Sequence, residues 1–263
     1  MTDQFQDRLR RLVKKMAVHS GCGHVGGSLS MAEILASLFE DVMEYNPADP
    51  GWQERDRFIL SKGHSAMGLY AAMHLAGYYK EELLYTFAVT DGRLMNHPDR
   101  ELLPCVEVST GSLGHGLSIA VGMALAGKQK GESHFTYCLM GDAEIQEGSV
   151  WEAAMFAGAS CLERLVVIVD RNHMGNDGPI DPFVNPEPLE DKWKSFGFRT
   201  VRVDGHDRCA LTDCLARFKK EAKGPYAVIA ETVKGKGLAD GIEGTGAAHY
   251  LKGTPEEMAA KFR

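Results

Sequence analysis

Two periods of hydrophobic spacing run through this chain, and the switches between them mark its elements. Between residues 4 and 19 the apolar positions Phe5, Leu9, Leu12, Val13 and Met16 recur at helical spacing, which predicts an amphipathic helix. "GCGHVGGS" breaks that pattern, and Ser28 or Ser30 is expected to cap the next helix, "MAEILASLFEDVM". "RFILS" reads as a short strand and "GHSAMGLYAAMHLAGYY" as a helix whose small residues suit close packing. "VEVSTGSLGHGLSIAVGMALAGKQ" is predicted as strand, Gly-rich turn and helix.

Further along, "FTYCLMGD" and "RLVVIVDRN" are strands, the second apolar in the manner of a strand covered on both faces. The helix "GSVWEAAMFAGASC" separates them, and "ALTDCLARFKKEA" separates two more strands, "FRTVRVDG" and "YAVIAETV". This alternation predicts an α/β fold: a doubly wound, mostly parallel sheet flanked by helices, with right-handed crossovers. The length of 263 residues suits one domain over 1–263, looser from about residue 180. Ligands of such sheets sit beyond the carboxyl ends of the strands. Asp142, Asp170 with Asn172, and Asp204 with His206 fall at those ends.

Composition narrows the partners. A formal net charge of −7 disfavours nucleic acid or an anionic membrane. The six cysteines (Cys22, Cys105, Cys138, Cys161, Cys209, Cys214) form no C-x-x-C pair and read as reduced thiols of a cytoplasmic protein. The first residues lack the apolar core of a signal peptide, and no apolar run approaches membrane-spanning length.

The stretch "MGDAEIQEGSVWEAA" sets the chemical question, because Asp142, Glu144 and Glu147 stand within six residues. Asp142 ends one predicted strand and Asn172 the next. On adjacent strands, a carboxylate and an amide oxygen would be hard ligands for Mg²⁺ or Ca²⁺, with a backbone carbonyl after Asn172 as a third and, as is typical of Mg²⁺, a phosphate-bearing cofactor completing the shell. An Asp in this position also serves as a cap or turn residue. "STGSLGHG" offers backbone N–H groups to an anion. His24, His64, His97 and His249 all lie in turns or loops, a pattern suited to a polar site built from loops.

"GDAEIQEGSVWEAAMFAGASCLERLVVIVDRNHMGNDG" resembles the thiamine diphosphate motif, in which Gly-Asp is followed by a helix, a strand and Asn. The resemblance sharpens to the transketolase family through "SGCGHVGGSLSMAEIL", "DRFILSKGHSAMGLYAAM", "NHPDRE", "CVEVSTGSLGHGLSIAVGMALA" and "TVKGKG", which occur in the family's order. It implies a thiamine diphosphate-binding fold and a ketol transferase of carbohydrate metabolism, such as the pentose phosphate pathway. By the same resemblance Asp142, Asn172 and the carbonyl of Met174 are the Mg²⁺ ligands, with Ca²⁺ or Mn²⁺ as substitutes. Gly111, Ser112 and Leu113 lie against the cofactor, together with His64, Gly141, Ala143 and His249. His24, His97 and His249 are the catalytic histidines. Glu147 faces a subunit interface, which leaves Glu144 as a solvated or capping charge.

Two departures matter. The family's Gly-Asp-Gly reads Gly-Asp-Ala, at Ala143, which is tolerable only at negative φ. A transketolase polypeptide has three domains, and this chain matches the first. The resemblance therefore implies the N-terminal subunit of a split transketolase, inactive alone, paired with a C-terminal subunit carrying the pyrimidine-binding domain as an α₂β₂ assembly acting on sugar phosphates. A truncated longer chain, a specialised ketose transketolase and a deoxyxylulose-phosphate synthase-like enzyme are the competing readings. A non-catalytic homologue is disfavoured by the intact His24, His64, Asp142 and Asn172.

Overall fold

The computed structural model describes residues 4–181 and 184–262. In chain order its elements are α1 (Phe5–Ser20), β1 (Cys22–Gly23), α2 (Val25–Ser30), α3 (Ala32–Ala36), β2 (Arg57–Leu60), α4 (Ala66–Leu75), α5 (His115–Lys130), β3 (Thr136–Gly141), α6 (Gly148–Ala159), β4 (Leu165–Arg171), α7 (Leu189–Ser195), β5 (Arg199–Asp204), α8 (Arg208–Glu221), β6 (Tyr226–Glu231), β7 (Leu251–Lys252) and α9 (Pro255–Ala259). Five strands form a wholly parallel sheet in the order β2-β3-β4-β6-β5. Helices cover both faces, as the strand–helix alternation predicts.

The sheet's two faces sort by residue parity. Tyr137, Leu139, Val166 and Ile168 pack with α1, α3, α4 and α8, while Cys138, Met140, Val167 and Val169 pack with α5, α6 and α7. Successive side chains of a strand point to opposite faces, so runs that are apolar at every position fill two cores at once. All six residues of β3 and all seven of β4 are buried. The cysteines are all free thiols.

Three expectations are corrected. Residues 106–112 form no strand. Their polar groups are taken up by the neighbouring loop instead: Thr110 N donates to Pro98 O at 3.2 Å, Ser109 Oγ accepts from Arg100 N at 2.9 Å, and Glu107 O accepts from Arg100 Nη1 at 2.6 Å. Neither Ser28 nor Ser30 caps the helix expected after the Gly-rich break. Both lie inside α2, where Ser28 Oγ donates to His24 O and Ser30 Oγ to Asp170. Glu144 is buried and hydrogen-bonded, not a solvated charge.

The sheet alone does not close the molecule. β1 and β7 pair antiparallel, Cys22 opposite Lys252 and Gly23 opposite Leu251. This short ribbon ties the turn after α1 to the segment that follows His249.

Candidate active site

β3 and β4 are hydrogen-bonded neighbours with Gly141 opposite Asp170. Their carboxyl ends therefore set Asp142 and Asn172 side by side at one edge of the sheet. Asp142 is 1% exposed. Its Oδ2 accepts from His173 N at 2.6 Å and Arg171 Nη1 at 3.2 Å, and its Oδ1 from Ala143 N at 2.9 Å. Burial, and then the Asp170 carboxylate, push its pKa up to about 6, so the site favours added positive charge. Ala143 has φ −69° and ψ −32°. That is ordinary right-handed backbone, and the extra methyl is unstrained.

Asn172 is oriented from below. Its Nδ2 donates to Asp170 Oδ2 at 3.0 Å, and its Oδ1 accepts from Met174 N at 3.2 Å, which fixes the amide's orientation. Asp170 is fully buried and also accepts from Ser30 Oγ, Thr232 Oγ1 and Lys62 Nζ. Lys62, 1% exposed, reaches Gly27 O at 2.9 Å as well. Burial penalises the Asp170 carboxylate, but the Lys62 ammonium and these hydrogen bonds prevail and hold its pKa below the usual range.

A cleft of about 240 Å³ opens over this edge. Its walls include His64, His97, Gly111, Leu113, Gly141, Asp142, Ala143, Asn172, Met174, Lys234 and His249. Ser112 is exposed on the far side of the Gly111–Leu113 turn and does not line it. Backbones crowd together here: a Cβ on Gly63 would stand 2.7 Å from Gly111 N. Only glycine lets the loop carrying His64 approach the turn at Gly111 so closely.

The four loop histidines converge. The His24 ring centroid lies 5.5 Å from that of His64, 6.1 Å from His97 and 5.3 Å from His249, and His64 stacks on His249 at 5.3 Å. Burial first, then neighbouring positive charge, lowers His24 and His249 to about 4 and His64 to about 2. All three rings are neutral at pH 7 and can accept or donate according to tautomer. His24 Nδ1 and Thr110 Oγ1 are shielded and have no hydrogen-bond partner among the described residues.

Two buried groups here have no role in the expected site, although Lys234 stands in the block "TVKGKG". Lys234 Nζ donates to Met174 O at 3.1 Å and Gly175 O at 2.8 Å, and lies 2.9 Å from His249 Nδ1. Burial lowers its pKa to about 8. Glu144 accepts from Gly114 N at 2.9 Å, Gly141 N at 3.0 Å and Ser61 Oγ. It clasps the turn before α5 to the end of β3. Nothing in "GDAEIQEG" distinguishes this glutamate from a solvated one, because two of its three donors, Gly114 N and Ser61 Oγ, come from remote turns. Glu147 is exposed at the N-cap of α6. His206 lies outside the cleft; its Nδ1 meets Glu33 at 3.0 Å and its Nε2 accepts from Val233 N at 2.9 Å.

The donor set fits a hard divalent cation with a phosphate partner: one buried carboxylate, one oriented amide oxygen and the Met174 carbonyl. No cluster of three or more His, Cys, Asp or Glu suited to a metal occurs among the described residues, so protein side chains alone would leave such an ion's shell open.

Residues 2–260 match the family model described as transketolase, thiamine diphosphate binding domain. The chain belongs to the transketolase family. It is 43% identical, over 96% of its length and 91% of the relative's, to a 6-deoxy-6-sulfo-D-fructose transketolase subunit of Clostridium sp. strain MSTE9. It is 40% identical to an apulose-4-phosphate transketolase subunit of Actinobacillus succinogenes, over 98% of the chain and 95% of the relative. Mouse transketolase is 39% identical over 97% of the chain, yet the match covers 40% of that protein. The solved transketolase from Leishmania mexicana superposes with a TM-score of 0.88 at 33% identity, covering 97% of the chain and 40% of its own. In this transketolase-family chain, the cleft above β3 and β4 opens at the edge where parallel sheets take their ligands.

Proposed function

We propose that this chain is a single diphosphate-binding domain serving as one subunit of a split, Mg²⁺- and thiamine diphosphate-dependent transketolase. It would move a two-carbon ketol unit between a ketose phosphate and an aldose phosphate, in an α₂β₂ assembly with a subunit carrying the pyrimidine-binding domain. One observation carries the reading. Asp142 and Asn172 stand together at the edge of adjacent strands and face a cluster of neutral histidines across the cleft. The length relation supports the partner: the chain spans most of the subunit-sized relatives and 40% of mouse transketolase.

Asp142, Asn172 and the Met174 carbonyl would hold Mg²⁺, with the turn at Gly111 and His64 against the diphosphate. When bound, the cofactor supplies the nucleophilic carbon and the electron sink. The protein's own work is positioning and proton transfer. Lys234 donates to His249 Nδ1, so a neutral His249 carries its proton on Nε2 and presents a donor there. His24, with no hydrogen-bond partner at Nδ1 among the described residues, can accept a hydroxyl proton or hold a substrate oxygen. Two relatives named for sulfofructose and apulose phosphate favour a specialised ketose as donor.

The test is reconstitution. The chain alone should bind thiamine diphosphate with Mg²⁺ by calorimetry and show no ketol transfer, and adding the complementary subunit should restore transfer. Asp142→Asn should weaken Mg²⁺-dependent cofactor binding by about 100-fold or more. Full activity of the chain by itself would refute the split assembly, and unchanged affinity of the variant would refute the ligand assignment.

A further inference from the structure

One aromatic ring borders the imidazole cluster without belonging to it. Tyr250 lies 4.7 Å, centroid to centroid, from His24 and meets it edge-on, yet is 43% exposed. His24 in turn contacts His64, His97 and His249. Tyr250 therefore stands one ring outward from the cleft.

Its backbone is anchored. Immediately after it, Leu251 and Lys252 pair with Gly23 and Cys22. A ring on an anchored backbone loses less entropy when a ligand lies on it. Among the described residues, Phe156, the other aromatic of the large exposed apolar side chains, has no ring contact with these histidines.

We propose that Tyr250 is a specificity-determining residue for the donor sugar. This rests on the transketolase reading. It contacts the carbon chain beyond the two transferred carbons. Sugars present C–H faces that lie against aromatic rings, with hydroxyls free at the edge. On this proposal, a donor whose reacting end lies among His24, His64 and His249 extends the rest of its chain on the side where the exposed Tyr250 borders His24. Its discrimination would thus depend on the length and stereochemistry of the skeleton, and a phosphate or sulfonate at the far end would be read elsewhere.

The experiment compares two donors, using the chain assembled with its complementary subunit. Hydroxypyruvate has no sugar chain beyond the transferred unit, whereas fructose 6-phosphate has four further carbons. Tyr250→Ala should raise KM for fructose 6-phosphate about 10-fold and change that for hydroxypyruvate less than about 2-fold. Tyr250→Phe, which keeps the ring, should behave as wild type toward both. Thiamine diphosphate affinity should be the same in all three proteins. Equal losses on both donors, or no loss on either, would overturn the assignment. If the wild-type assembly uses only 6-deoxy-6-sulfofructose or apulose 4-phosphate, that ketose replaces fructose 6-phosphate in the comparison; an assembly that transfers from none of the four would bring down the transketolase reading, and this inference with it.

Discussion

Lys234 Nζ lies 2.9 Å from Nδ1 of His249 while donating to the carbonyls of Met174 and Gly175. One buried ammonium thus fixes both a histidine tautomer and the loop that carries a candidate metal-binding carbonyl.

Replacing it separates these roles from mere packing. In Lys234→Met the His249 pKa, about 4 and depressed by burial and then by Lys234, should rise. NMR titration of the imidazole would show the shift. Turnover of the assembled enzyme should fall at least about 10-fold, with the acid limb of its pH profile moved upward. An unmoved His249 titration would show that burial alone sets it.

Glu144→Ala should destabilise the fold by about 2–4 kcal/mol, because Gly114 N and Gly141 N lose a buried acceptor. Urea denaturation would measure it. Cofactor binding should weaken in parallel, as the turn before α5 is released. A wild-type midpoint would mean that water or another group replaces the carboxylate at no net cost.

Acid should weaken the molecule in a defined window. His24 and His249 fall from 6.5 unfolded to about 4 folded, and His64 to about 2. The unfolded chain then binds more protons, so the stability from these rings is present above pH 6.5 and is lost as pH falls toward 4 and below. Asp142, raised from 3.8 to about 6, acts in the opposite sense and destabilises as pH rises through that range. Thermal melts from about pH 4 to 8 should therefore show a gain from Mg²⁺ with thiamine diphosphate that grows through about pH 6, as Asp142 ionises. Asp142→Asn should abolish that growth while leaving the histidine-linked loss.

The outward face of α6 carries Met155, 58% exposed, and Phe156, 50% exposed, beyond the Glu147 N-cap. If the chain assembles as proposed, these two large apolar side chains on one surface helix are where a partner is expected to dock. Phe156→Asp should lower the mass of the assembled enzyme by light scattering and leave the helical circular dichroism unchanged. An unaltered mass would exclude this face from assembly.

The sheet is legible in the sequence because its strands are buried on both sides. A run such as "RLVVIVD" has no polar face to mistake. The placement of Asp142 and Asn172 is legible because strand ends carry ligands in this fold class. The differences share one cause: neither alternation nor charge reveals its partners. "VEVSTG" alternates like a strand but has no neighbour to pair with, and Ser28 and Ser30 look like caps until α2 places Ser30 on Asp170. Buried charges are hidden for the same reason. Lys62, Asp170, Glu144 and Lys234 satisfy one another or distant backbone, and only folding brings those groups within reach.

The β1–β7 ribbon imposes an order of events. His24 is made early in synthesis and His249 long after it, and the pairing that holds their surroundings joins Cys22 to Lys252. β6 (Tyr226–Glu231), the strand that flanks β4 and completes its core, is also made before Lys252. The histidine-lined cleft is therefore a late product of folding, complete only when the segment beyond residue 250 has left the ribosome and returned to the turn after α1.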